Sequence, residues 1–257
     1  MPVRAAPAPA ATAVLRILGH LARQAAPVPA ASLARALGMP RSSVYRLLAV
    51  LEEDGWVIRF PETRAYGLGV AAFELSQGYL RQAPLARTGR PVLAALVDRA
   101  RESAHLAVLE GRDVVYLVEE RAPRRPPLVT DVGVRLPAHL TATGRAMLAA
   151  LPAAQVRALF GDVRTLPLRG AKGLGTYAAL RRELTAVRAR GYAVEDGEVT
   201  EGLASVAVAV RDRSGWPAAA LAVTYPAGVG EDGRAALVRA VEVHAQEFSR
   251  RLFGAAP

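Results

Sequence analysis

The side chains that could do chemistry are few, and their spacing rules out most of it. His20, His105, His139 and His244 are the only imidazoles, and none lies at the short spacing from another by which a chain builds a metal site. His20 and His244 fall in helical patterns as boundary residues; only His139 adjoins a segment shaped like a binding loop. The absence of cysteine excludes disulfides, thiolate metal sites and cysteine nucleophiles. Ser205 sits inside an apolar run with no Gly-x-Ser-x-Gly elbow to present it as a nucleophile. Glu195, Asp196, Glu198 and Glu201 could pose as a catalytic acid cluster, but such a run is more often a solvated loop. The glycines from Gly170 to Gly175 lack the Lys-Ser/Thr pair of a phosphate-binding loop. An enzyme is therefore not expected, a hydrolytic one being the remote alternative, and no cofactor or metal is implied.

Two other chemistries remain. Val44, Leu47, Leu48 and Leu51 recur at i, i+3, i+4 and i+7 and must face a core. The opposite face then presents Ser42, Tyr45, Arg46 and Ala49, with Arg41 and Ser43 at its edges. That strip suits a DNA major groove: a small residue allows close approach, Arg pairs with guanine, and hydroxyls reach bases or phosphates. The start of the helix adds unpaired N–H groups and a positive dipole. Glu52, Glu53 and Asp54 would repel phosphate at its other end, so the helix should enter the groove N-terminus first. Arg59 and Arg64 flank the turn that follows and could reach phosphate or the minor groove. On pattern alone, a small helical subdomain whose arginines are merely solvated stays open beside this reading. The second chemistry is anion capture. Leu136-Pro137-Ala138-His139 runs into Thr141-Ala142-Thr143-Gly144, where small residues at a helix start would leave backbone N–H groups open to a carboxylate.

The elements that must position these residues follow from apolar period and chain breakers. Val14, Ile17, Leu18 and Leu21 mark a helix from Thr12 to about Gln24, which Ala-Pro-Val-Pro ends. A short helix with Leu33, Ala34 and Leu37 closes at Gly38, and Pro40 opens a third, running to about Asp54. Trp56-Val57-Ile58 and Tyr66-Gly67-Leu68 form a hairpin about Pro61-Glu62-Thr63. Three helices and a hairpin within residues 11–69 are the parts of a winged helix-turn-helix. Val70 to Gln82 continues as a candidate linker helix, assigned to residues 70–83. Beyond it, residues 84–255 alternate helices (Arg90–Arg101, Thr143–Ala150, Ala153–Phe160, Tyr177–Arg190, Asp232–Phe253) with strand pairs about Gly111 and Gly215. That mixture predicts an α+β domain around an antiparallel sheet.

Composition bounds the setting. The formal charge of +10 favours polyanions without identifying one, and it is spread as +4 over residues 1–83 and +6 over residues 84–257. No apolar run reaches the roughly 18 residues of a membrane span. Residues 1–10 read as a disordered leader rather than a secretory signal, which places the protein in the cytoplasm, with no membrane partner.

The string Ser32 to Val57, SLARALGMPRSSVYRLLAVLEEDGWV, resembles the helix-turn-helix of the IclR family of bacterial regulators. Tyr66-Gly67-Leu68-Gly69 resembles the end of that family's wing. Leu136–Leu151 and Gly191–Val210 resemble its loop-to-helix segment and its effector strand, so the likeness runs from about Thr12 to Phe253. The resemblance implies a transcription factor controlled by a small-molecule effector, with a profilin- or GAF-like effector domain. It also implies a homodimer made through the DNA-binding domains, often paired into a tetramer, on a near-palindromic operator of double-stranded DNA. Carried over by position, the effector lining includes Leu136, Ala142, Thr143, Glu195, Ser205, Ala222 and Thr224. Ser205 stands where many members have Cys, Ala222 where some have Ser, Glu195 where some have Asp, and Ala209 replaces a frequent Pro. A small organic acid, held by the 141–144 amides with Ser205 and Thr224, is the expected effector. The alternative is a sensor that works through protein partners without binding DNA.

Overall fold

The computed structural model describes residues 8–75 and 84–254. Most of the expected leader and residues 76–83 of the expected linker helix lie outside them. The chain divides into two compact units, Met1–Gln82 and Ala83–Pro257.

In the first unit, α1 (Pro9–Leu21), α2 (Ala30–Leu37) and α3 (Arg41–Glu53) enclose a small core. Ile17, Leu33, Val44 and Leu48 are fully buried in it, and Leu47 packs on its margin. The α2–α3 turn depends on Gly38, whose φ of 64° is left-handed and costs glycine little. Arg16 of α1 donates to the Leu37 carbonyl at 2.8 Å, a cation on the C-terminal end of α2. The wing pairs β2 (Val57–Phe60) with β3 (Ala65–Leu68), Phe60 opposite Ala65. A third strand, β1 (Val28–Pro29), pairs with the far side of β3. The two prolines of that stretch, expected only to break the helix, thus also sit in or beside a strand. Pro29 fits because an edge position does not require its missing N–H. Residues 70–75 are helical (α4).

The second unit is a six-stranded antiparallel sheet in the order β6-β5-β4-β9-β8-β7. Its strands are β4 (Ser103–Glu110), β5 (Asp113–Glu120), β6 (Arg135–Pro137), β7 (Ala193–Asp196), β8 (Leu203–Arg211) and β9 (Pro217–Pro226). The tight β4–β5 turn places Gly111 at φ 62°, the positive value that two-residue hairpin turns require. At the β8–β9 turn the Asp212 carboxylate accepts from the amides of Ser214 and Trp216. Helices α5 (Pro84–Ala100) and α9 (Glu231–Phe253) pack together on one face of the sheet, while α6 (Ala142–Ala150) and α8 (Tyr177–Arg190) cover the other, with α7 (Ala153–Phe160) joining their core.

The structure departs from the expectations for this unit in places. The helix expected from about Arg90 begins at Pro84, as proline's fixed φ permits in a first turn. The short β6, which ends on Pro137, had no alternating pattern to reveal it. Leu252 is only half-buried, because the buried stripe of α9 runs through Leu237, Val238, Val241, Ala245 and Phe248.

Small side chains decide how α6 sits. Ala107, Ala220, Ala222 and Ala207 are buried on the sheet beneath it, and Ala142 and Ala146 face them from the helix. A Cβ on Gly144 would stand 2.1 Å from the Ala138 carbonyl oxygen, backbone against backbone. Gly144→Ala should therefore lower unfolding free energy by about 3 kcal/mol through overpacking, measured by denaturant unfolding of the full chain; a loss below about 1 kcal/mol would show that the 138–144 segment yields.

Candidate DNA-contacting helix and internal pocket

The exposed face of α3 carries Arg41, Ser42, Tyr45, Arg46 and Ala49, with Ser43 half-buried at its edge. Tyr45 is 53% exposed although it is a large aromatic. The N-cap is Pro40, which offers no side-chain acceptor, so no cap engages the first amides of α3. Glu52, Glu53 and Asp54 are exposed at the far end. The charge along α3 thus runs from cationic to anionic, as N-terminus-first entry needs. Arg59 is exposed on β2 opposite Tyr66, and Arg64 holds the wing turn at a left-handed φ of 50°.

The second unit contains a narrow internal pocket enclosing about 360 Å³ of unoccupied space, part of it open to solvent. Its floor is the sheet and its side wall is the start of α6, where Ala142 and Thr143 line it. Leu128, Val129 and Thr130 of one loop and Val199, Thr200 and Leu203 of another close it. On the floor, Thr224, Ser205 and Glu195 lie in one transverse row, paired across β9, β8 and β7. Ser205 Oγ donates to Glu195 Oε1 at 2.9 Å and lies 2.9 Å from Thr224 Oγ1. Thr224 Oγ1 is in turn 3.4 Å from His105 Nε2. The other Glu195 oxygen accepts the amides of Glu198 and Val199 at 3.2 and 3.3 Å. Desolvation pushes the Glu195 carboxyl up to about 7, the Ser205 hydrogen bond opposing it and the Glu198 charge adding to it. Burial alone pulls the His105 imidazole down to about 4. Burial also raises the Tyr116 phenol, whose hydroxyl Thr143 and Thr141 hydrogen-bond. Among the described residues, no arginine or lysine lines the pocket.

Five of the seven residues named from sequence, Ala142, Thr143, Glu195, Ser205 and Thr224, meet at this pocket. Leu136 and Ala222 do not; both are buried in the adjoining apolar core. The Gly144 amide, expected among the anion donors, is already bound by the Thr141 hydroxyl at 3.0 Å. Glu195 is buried, not part of a solvated loop. His139 lies outside the lining, its Nε2 2.8 Å from the Pro167 carbonyl. Sequence reading missed His105, Tyr116 and Thr130, whereas Thr141, named with the 141–144 segment, does line the pocket. A polar residue at an inward strand position between small neighbours, as in Ser103-x-His105-x-Ala107, is the signal that marks the first of them.

One buried cation holds the pocket's frame. Arg145 of α6 donates to the carbonyls of His139 and Val194 at 2.8 Å each and to the Glu198 carboxylate at 2.8 Å. Arg145→Ala should cost about 3–5 kcal/mol, since it leaves Glu198 and two carbonyls unpaired. Glu198→Gln, which keeps an acceptor, should cost about 1–2 kcal/mol. Equal losses in denaturant unfolding would overturn the assignment of the larger share to the carbonyl contacts.

The sequence model of the IclR helix-turn-helix domain matches residues 10–59, and that of the bacterial transcriptional regulator IclR C-terminal domain matches residues 77–250. The chain is 37% identical over 221 residues to “Probable transcriptional regulator SauR” of Cupriavidus necator, covering 84% of this chain and 86% of the relative. It is 27% identical over 222 residues to the transcriptional repressor IclR of Escherichia coli, covering 82% and 78%. Among solved structures, the IclR of Thermotoga maritima matches with a TM-score of 0.71 at 26% identity, over 95% of this chain and 98% of that one. An IclR homologue of Microbacterium hydrocarbonoxydans, complexed with 4-hydroxybenzoate, matches in fold with a TM-score of 0.77 at 24% identity, over 94% and 99%. A helix-turn-helix unit joined to an antiparallel α/β unit with an internal pocket, matched by both models, leaves one assignment: this chain belongs to the IclR family of DNA-binding transcriptional regulators, which carry an effector-binding C-terminal domain and are not enzymes.

Proposed function

We propose that the regulator reads a near-palindromic operator in the cytoplasm as a homodimer or a pair of dimers. Each α3 enters a major groove N-terminus first. Arg46 reads a base, Arg41, Ser42, Ser43 and Tyr45 supply phosphate and base contacts, and Arg59 and Arg64 of the wing hold the flanking backbone. The observation that carries this reading is the uncapped, cationic start of α3 beside an exposed tyrosine. Arg46→Ala should weaken operator binding by about 1–3 kcal/mol if the contact is bidentate. Non-specific binding should barely change, and the affinity of the parent protein should fall steeply as salt rises. An unchanged ratio of operator to random-sequence affinity would refute the role of Arg46. Salt-insensitive or absent DNA binding would favour a sensor that acts through protein partners.

The effector is a small organic acid whose carboxylate sits against the amides of Ala142 and Thr143 at the start of α6. Those are among the helix N–H groups with no intrahelical acceptor, and both residues line the pocket. The observation that complicates a carboxylate is Glu195. Two unit charges about 6 Å apart in a protein interior repel by about 3 kcal/mol, and among the described residues no cation lines the pocket to offset it. An aromatic acid is compatible with the fold, since the Microbacterium homologue holds 4-hydroxybenzoate. Calorimetry of the full chain against acetate, pyruvate, glycolate, benzoate and 4-hydroxybenzoate should find at least one that binds. Binding confined to neutral or cationic compounds would defeat the organic-acid reading.

A further inference from the structure

His105 is nearly completely buried on the pocket wall, and its Nδ1 has no protein hydrogen-bond partner. The Oγ1 of Thr130, on the loop that closes the same pocket, is likewise buried without one. Unpaired buried polar atoms are costly, and two on one cavity wall point to a bound polar group. Nε2, the other His105 nitrogen, ends a chain of hydrogen bonds through Thr224 and Ser205 to Glu195, with steps of 3.4, 2.9 and 2.9 Å.

A chain of hydroxyls between an acid and an imidazole has two polarities. With Glu195 ionised, Ser205 donates to its Oε1, Thr224 donates to Ser205, and His105 donates to Thr224 from Nε2. A neutral imidazole has one N–H, so its Nδ1 is then a bare acceptor. With Glu195 protonated, the order reverses. The amides of Glu198 and Val199 hold Oε2 as an acceptor, so the proton resides on Oε1 and donates to Ser205. Ser205 then donates to Thr224, Thr224 donates to Nε2, and the imidazole hydrogen moves to Nδ1. The ring nitrogen without a partner becomes a donor.

We propose that His105 is an effector-binding residue whose unpaired nitrogen is switched from acceptor to donor by protonation of Glu195, relayed through Ser205 and Thr224, so that an anionic effector enters together with one proton. The proton comes from solvent and stays on Glu195, while the effector remains a carboxylate. The pocket carries one negative charge before and after binding, and the anion gains a donor where it would have met a lone pair. This rests on the organic-acid reading above.

Other ionisable groups around the relay are accounted for. Glu198 beside Glu195 is paired to Arg145 of α6. Asp196, next along β7, is exposed and lies near Lys172 at 3.7 Å. Tyr225 of β9 and Tyr116 of β5 are both held above the usual phenol range, chiefly by burial, and stay neutral near physiological pH. Tyr116 also meets the His105 ring edge-on, with centroids 5.3 Å apart. Glu119, opposite His105 on β5, pairs its Oε1 with Arg121, while its Oε2 is buried without a partner outside the pocket lining. Burial favours the neutral imidazole and the protonated carboxyl alike.

The test is calorimetry of the full chain with the tightest-binding carboxylate of the five above, in buffers of different ionisation enthalpy. Uptake should approach one proton per site at about pH 8.5 and about half a proton near pH 7, with affinity falling roughly tenfold per pH unit above that point. In Glu195→Gln the amide oxygen can replace Oε2 and the NH₂ can donate to Ser205, which fixes the protonated polarity. This variant should bind without proton uptake, lose the pH slope, and exceed the parent's affinity about tenfold at roughly pH 8. His105→Phe keeps the ring but removes both nitrogens, and should weaken binding about tenfold or more; should it fail to fold, the Glu195→Gln comparison decides alone. Carboxylate binding with no proton uptake, or uptake that persists in Glu195→Gln, would overturn the proposal. Failure of all five carboxylates to bind would instead remove the organic-acid reading beneath it.

Discussion

The pocket depends on one guanidinium. Arg145 is 3% exposed, and an arginine is seldom found there unless every donor is occupied. Its side chain leaves α6 and fixes three separate pieces of chain at once: the 138–141 loop, β7 and the segment carrying Glu198. Burial of the charge is offset only because those partners converge, so the position of each is set by the others. The α6 start, the Glu195 strand and the loop above them therefore move as one frame. A hydrophobic residue at 145 could fill the space, but it would leave the carbonyls of His139 and Val194 to find other donors.

That frame sits on a sheet whose side chains are sorted by row. His105 pairs with Ala222, Ala222 with Ala207, and Ala207 with Ala193. One row therefore holds three alanines beside one imidazole. The next row reads Ser103, Thr224, Ser205 and Glu195. Alanines let α6 approach the sheet closely, which brings the amides of Ala142 and Thr143 onto the pocket wall. The neighbouring polar row would be a defect in an ordinary core. Here Thr224, Ser205 and Glu195 satisfy one another and Ser103 accepts the Ala122 amide, while His105 and Thr130 bring unpaired atoms to the cavity.

The sequence made the outline legible where local rules act alone. The period of Val44, Leu47, Leu48 and Leu51, the Gly38 turn and the Pro40 start were enough to orient α3 and expose Arg46. The Gly111 and Gly215 hairpins and the span of α8 were equally plain. The pocket was legible in part, and mostly through family resemblance. His105 escaped notice because its meaning lies in register: only pairing with β9 brings it beside Thr224, and β4 carries no local sign of that partner. Glu195 was placed in the pocket by position, yet its neighbouring acids argued for a solvated loop. What buries it is Arg145, 50 residues away in sequence, which takes up Glu198 and lets the strand turn inward. Leu136 and Ala222 lie on the same side of the sheet as the pocket but in the apolar core beside it, because position along a strand does not fix where a cavity ends.

The contracted pocket also constrains how an effector can act. The pocket is narrow, and an effector as large as an aromatic acid would enter it by displacing the Leu128–Thr130 loop, the Val199–Leu203 loop, or both. These loops are tied differently. Arg125 pairs with Glu102 and Arg121 with Glu119 at the base of the first, and neither pair involves a member of the relay. The second hangs on Glu195 itself, whose Oε2 accepts the Val199 amide. Protonating Glu195 weakens that acceptor at the moment the relay reverses, so the same event that admits the anion loosens the loop above it. A ligand shifts a conformational equilibrium only by its differential affinity for the two states. The Glu195 carboxyl is the group on which ligand chemistry and loop position both bear, which makes it the natural start of the signal.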